Sequence, residues 1–161
     1  MRLPKFPQPL ARFISKLPAL PASASLVALL NLAAWKSLKD LDWTPLYGKR
    51  FCVHVRDTGI RAYFSVNRRG FIAEVNSQAD VTFTATAEDF ARLALRLDDP
   101  DTLFFNRRLL IEGNTDLGLL VKNMLDAVEW ETVLQHLPAA MSRLVGRLRT
   151  QALHQDIVSA H

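Results

Sequence analysis

Residues 79–125, ADVTFTATAEDFARLALRLDDPDTLFFNRRLLIEGNTDLGLLVKNML, decide how this chain folds. Val81, Phe83 and Ala85 alternate with Thr82 and Thr84, the period of a half-buried strand. Thr86 with Asp89 three positions later has the form of a capping box, Asp standing where Glu would be stronger. Phe90, Leu93, Ala94 and Leu97 then recur at helical spacing, and Asp98-Asp99-Pro100-Asp101 reads as an acidic loop that stops the helix. Leu109 and Ile111 fall in a further strand ending at Gly113. Thr115 or Asp116 caps a second helix with a stripe of Leu117, Leu120, Val121, Met124 and Val128. The order is strand, helix, loop, strand, helix. Large apolar side chains dominate it, and it carries no catalytic constellation.

Three more strands precede it. Phe51, Val53 and Val55 alternate with Cys52, His54 and Arg56, and Ile60, Ala62, Phe64 and Val66 with Arg61, Tyr63 and Ser65. Phe71, Ala73 and Val75 alternate with Ile72 and Glu74. Asp57-Thr58-Gly59 and Asn67-Arg68-Arg69-Gly70 are turn sequences between them. Further upstream, Leu10, Phe13, Ile14 and Leu17 form one face of a short helix, ended by Pro18 and Pro21. Ser23 or Ser25 is placed to cap the next, with a stripe of Leu26, Leu29, Leu30 and Ala33. Val27, Leu32 and Trp35 make that helix apolar nearly all round, so it must be buried in protein or in lipid. Pro138 opens a last helix bearing Met141, Leu144, Val145 and Leu148.

The fold expected is α+β: a five-stranded, mainly antiparallel sheet packed with helices, plus an N-terminal helical extension. The 161 residues divide into a basic helical region over 1–45, a core domain over 46–135 and an amphipathic helix over 136–161. The surplus of Leu, Phe and Met fills a core or lines a hollow between sheet and helices.

Charge is distributed unevenly. Residues 1–39 hold six bases and no acid, residues 40–137 eleven bases against fifteen acids, and residues 138–161 three bases and one acid. Basic ends attract polyanions, either anionic membrane or nucleic acid. The longest apolar run, Leu26 to Trp35, is interrupted by Asn31 and falls short of the roughly 20 residues of a membrane-spanning helix. Bases through to Lys39 and five early prolines argue against a signal peptide.

Chemistry is sparse. His54, His136, His154 and His161 are scattered without metal-ligand spacing. The single cysteine, Cys52, excludes an internal disulfide and the usual cysteine set of an iron–sulfur cluster. As a nucleophile it lacks an adjacent base in sequence. No enzyme activity and no cofactor is expected. Phe64, Phe83, Phe90, Leu103, Phe104, Phe105, Leu120, Met124 and Leu125 are the candidates to line a tunnel for an apolar tail; ordinary core packing is the alternative for each. Arg107 and Arg108 are either donors at its mouth or a solvated edge. Leu10, Arg12, Phe13, Ile14, Lys16 and Leu17 suit a membrane-surface contact, with apolar residues entering the headgroup boundary and bases meeting anionic lipid. The alternative is a pair of helices packed on the domain, or a homodimer contact. A nucleic-acid or protein adaptor using the same basic ends is the second functional reading, without a visible stacking platform of aromatics among the bases.

From about Tyr47 to Val128 the chain resembles the sterol carrier protein type two lipid-binding family. The resemblance rests on ADVTFTATAEDF leading into a helix, an acidic-proline turn, the strand RRLLIEGN ending in glycine, and the helix TDLGLLVKNML. The whole chain, with its basic proline-containing N-terminal region, looks closer still to a bacterial branch of that family that serves ubiquinone biosynthesis. That likeness implies a non-catalytic accessory factor for the oxygen-independent route, holding prenylated ubiquinone precursors or phospholipid. It implies UbiU and UbiV, two peptidase-U32-like iron–sulfur proteins, as partners. It also implies a cytoplasmic location at the inner membrane surface.

Overall fold

A computed structural model gives the architecture and describes residues 19–33, 35–75, 78–126 and isolated positions between 139 and 157. The expected helix over Leu10 to Leu17, Val128, and the stripe of Met141, Leu144, Val145 and Leu148 lie outside the described residues.

The strands are β1 (Arg50–Val55), β2 (Ile60–Asn67), β3 (Gly70–Glu74), β4 (Val81–Ala85) and β5 (Leu110–Gly113). They form one sheet in the order β3-β2-β1-β4-β5. Three of its four pairings are antiparallel, and β1 with β4 is parallel. Register brings the apolar phases together. Phe51 lies between Phe64 and Val81, Val53 between Ala62 and Phe83, and Val66 faces Phe71. A one-residue slip would turn all of these to the other face, so burial fixes the pairing. Gly59 and Gly70 take φ of 73° and 138°, conformations that favour glycine, at the turns after β1 and β2. Val75, read as the end of the third strand, lies beyond it and is 70% exposed.

The helices are α1 (Ala19–Ala33), α2 (Trp35–Leu38), α3 (Ala87–Ala94), α4 (Pro100–Phe105) and α5 (Thr115–Asp126). Several expected boundaries move, each for a local reason. Neither Ser23 nor Ser25 caps α1, because the helix already runs from Ala19 through Pro21. Ser23 is instead wholly buried against the sheet. Thr86 does cap α3: its Oγ1 accepts from the Asp89 amide at 3.1 Å and donates to the Asp89 carboxylate at 2.8 Å. That helix ends at Ala94, short of Leu97. Arg96 takes a left-handed φ of 54°, and the Leu97 amide reaches back to the Arg92 carbonyl at 2.9 Å, closing the last turn.

The acidic segment is not a loop. Asp99 accepts from the Thr102 amide at 2.8 Å and Pro100 fills the first helical position, so the stretch that ends α3 starts α4. α4 closes in the same way as α3, with Arg107 at φ 57° and the Arg108 amide on the Leu103 carbonyl at 2.9 Å. The cap of α5 is Asn114, one residue before Thr115; its Oδ1 accepts from the Leu117 amide at 3.2 Å. Gly118 lets α5 settle on β4 and β5, since a Cβ there would collide with Ile111 and crowd Val81.

The core lies between the inner sheet face and the helices, and includes Leu38, Trp43, Leu46, Phe51, Val66, Val81 and Leu103. An aromatic chain crosses it. Phe51 stacks on Phe64 at 5.4 Å, and Phe71 meets Phe64, Trp43 and Trp35 edge-on at 5.9, 5.5 and 5.6 Å.

Candidate functional site

Within this layer is a cavity of about 240 Å³. Phe51, Val53, Phe64, Val66, Phe71 and Phe83 form its floor on the sheet. Leu26 and Leu30 come from α1, Phe90, Leu93 and Ala94 from α3, and Val121 and Leu125 from α5. Leu38, Trp43 and Leu46 also contribute, and the Trp43 indole is fixed by donating to the Leu38 carbonyl at 2.6 Å. Arg96 and Lys122 are the charged residues on the wall. The wall surface itself is almost wholly apolar, so these two offer their methylene stems to it. Their heads are engaged elsewhere. Lys122, with a side chain only 8% exposed, pairs with Asp101 of α4, and Arg96 pairs with Asp126 at 3.9 Å. A hollow so lined offers dispersion and dehydration to a hydrocarbon but no hydrogen bond to a polar group.

Polar contacts brace the helical side from outside. Arg108 bonds the Asp89 carboxylate and reaches Asp98 at 3.3 Å, and Arg92 donates to Asp98 at 2.7 Å. Arg108 is therefore a strut between α3 and the end of α4, and Arg107 beside it is exposed.

On the other side, α1 lies along the β3 margin and is held by neutral groups. Ser23, Val27 and Asn31 fall on one line, four residues apart. The Tyr63 amide donates to Ser23 Oγ at 2.8 Å. Asn31 makes two bonds to a single residue of the edge strand: its Nδ2 donates to the Phe71 carbonyl at 2.8 Å and its Oδ1 accepts from the Phe71 amide at 2.9 Å. Gly70 makes room, because a Cβ there would stand 2.5 Å from Asn31 Oδ1.

Of the residues marked for the tail, the structure brings Phe64, Phe83, Phe90 and Leu125 together on the cavity wall. Leu103 is fully buried beside it, and Leu120 and Met124 pack half-buried on the core. Phe104 is half-buried, while Phe105 is 77% exposed, its ring edge-on to Phe104 at 5.6 Å. Sequence reasoning overlooked Lys122, Arg96 and the two clips of α1. Asn31 was visible as a polar interruption in an apolar run, which is the one signal that could have found it.

The outer sheet face carries Cys52, His54, Arg61, Tyr63, Thr82 and Thr84. Cys52 is wholly buried, and burial pushes its thiol up, opposed by Arg61 and by hydrogen bonds with Tyr63 and Thr82. It stays a protonated thiol at neutral pH, the unreactive form. Burial also holds the His54 imidazole below its ordinary value, with Arg61 and Arg56 acting in the same direction and Glu112 against it. Among the described residues no three His, Cys, Asp or Glu side chains are grouped to hold a metal ion. Among the same residues, no helix is long and apolar enough to cross a membrane.

Strand order, helical layer and apolar hollow together define a sheet-and-helix fold of the sterol carrier class, and the sequence profile of the SCP-2 sterol transfer family matches residues 29–126. The chain belongs to that family. Over 113 residues it is 42% identical to the ubiquinone biosynthesis accessory factor UbiT of Escherichia coli K12, covering 70% of this chain and 63% of that protein. UbiT of Escherichia coli O157:H7 matches to the same extent. The chain thus spans under two thirds of the length of the curated relatives it matches. Among solved structures it is similar to the UbiJ-SCP2 ubiquinone synthesis protein, with a TM-score of 0.49 and 21% identity over 66% of this chain and 94% of that one.

Proposed function

We propose that this protein is a non-catalytic lipid-binding accessory factor for ubiquinone biosynthesis, sheltering the apolar tail of a prenylated precursor or a phospholipid. The observation that carries the reading is the cavity: about 240 Å³, with an almost wholly apolar wall built from the sheet and the helices packed on it. Each tail CH₂ moved from water into it contributes roughly 0.8 kcal/mol. With no polar atom of consequence inside, the head group stays at the mouth or beyond. The 42% identity to UbiT supports the pathway. Phe64, Phe83, Phe90 and Leu125 are the tail contacts, with Leu103, Leu120 and Met124 supporting them from behind.

Delivery takes place at the cytoplasmic face of the membrane. There Leu10, Phe13, Ile14 and Leu17 enter the headgroup boundary, and Arg12 and Lys16 meet anionic lipid. UbiU and UbiV are the proposed recipients of the bound precursor.

Native mass spectrometry of the purified protein, before and after incubation with a prenylquinone, tests the reading. Wild type is expected to retain lipid. Val53→Trp, which fills the cavity floor, is expected to retain none while keeping the wild-type circular dichroism. A wild-type protein that carries no lipid and takes up none overturns the proposal.

A further inference from the structure

Resting on the lipid-carrier reading, we infer that α1 is the gate of the cavity, and that Ser23 and Asn31 are the latches that hold it against the sheet. The cavity as it stands is smaller than the roughly 300–1,000 Å³ of pockets that enclose drug-sized ligands. A long tail therefore needs a wall that gives way. The strands of the floor are locked in a hydrogen-bonded ladder. α5 is pinned by the Lys122–Asp101 pair and by the close approach at Gly118. α3 is braced by Arg108 and Arg92.

α1 differs from both. It supplies Leu26 and Leu30 to the wall, and its described polar contacts to the sheet include three neutral hydrogen bonds, from Tyr63 to Ser23 and between Asn31 and Phe71. Each is made to a backbone group that water satisfies equally well once the helix moves away, so release leaves no charge stranded. Next in the chain, Leu38, Trp43 and Leu46 are buried, and the Trp43 indole is bonded to Leu38. That segment is the pivot.

Hydrogen exchange of the lipid-free full chain tests the gate without reference to any ligand. The Tyr63 and Phe71 amides report the two latches, eight residues apart on α1. If α1 moves as one body, Ser23→Ala speeds exchange at Phe71 as well as Tyr63, and Asn31→Ala speeds exchange at Tyr63 as well as Phe71, each by roughly five-fold. The amides of the β1–β2 ladder stay as they are. Effects confined to the amide each variant touches, or exchange of both amides only with the ladder, show a fixed structural clip and overturn the gate. On the binding side, Ser23→Ala takes up cis-parinaric acid, a fluorescent polyene fatty acid, roughly five-fold faster than wild type with the same final capacity. Unchanged uptake overturns the gate. Uptake by no variant at all counts against lipid binding itself, and the exchange measurement then decides whether α1 opens.

Discussion

The cavity has two kinds of wall. On the side of α3, α4 and α5, charged pairs and a glycine contact hold the helices, with Lys122 on Asp101, Arg108 on Asp89 and Gly118 against Ile111. On the side of α1, hydroxyl and carboxamide groups meet bare sheet backbone. Breaking the first kind strands a buried charge or a void. Breaking the second hands a neutral group back to water. The two walls thus differ in what it costs to part their polar contacts, and that difference is the ground on which motion is assigned to α1.

Substitutions can break or sharpen that contrast. The largest effect is expected at Leu103, the fully buried residue of α4: Leu103→Ala costs about 2–5 kcal/mol in urea denaturation, whereas Leu30→Ala, on α1 next to an existing hollow, costs less and enlarges it. Equal losses at the two positions would erase the distinction. Gly118→Ala forces a methyl group into Ile111 and costs about 1–3 kcal/mol, read in the same titration. Next comes the cap of α3, where Thr86→Ala lowers stability by about 1 kcal/mol. Arg107→Gly has the opposite sign. It relieves a left-handed residue at the end of α4 and raises the thermal midpoint, by the equivalent of roughly 0.5–1 kcal/mol.

The smallest effect is one of pH. The folded state holds His54 below its ordinary value, so the unfolded chain binds its proton more readily. Stability from this group is present above the ordinary histidine range and is lost as pH falls through the folded value. The midpoint of wild type should drop between pH 7.5 and pH 5.5 more than that of His54→Gln, and parallel curves would remove His54 from the account.

Much of this was legible from residues alone. The alternation through β1, β2 and β4 and the Thr86 cap announced themselves, because strand period and capping are local rules. The apolar surplus on the inner face of the sheet is compatible in sequence with a filled core or with the lining of a hollow, and only the packing of the helices distinguishes the two. What escaped depended on contacts distant in sequence. Asp99-Pro100 looks like a stop after Leu97 and like a start before Leu103, and only the Arg96 turn shows that it is both. Lys122 sits within an apolar stripe, and nothing nearby reveals Asp101, twenty-one positions earlier, as its partner. A serine before an apolar run looks like a cap, at Ser23 or at Ser25, whereas the actual partner of Ser23, the Tyr63 amide, lies forty residues on.

One consequence of Asn31 remains. Its carboxamide copies a peptide unit, offering donor and acceptor side by side to Phe71 where a sixth strand would otherwise add. It thereby seals the β3 margin against self-association, a hazard for any uncovered strand. Whenever α1 departs, the molecule shows a naked template to its neighbours. Under the gate proposed above, entry of cargo and protection of this margin depend on the same side chain.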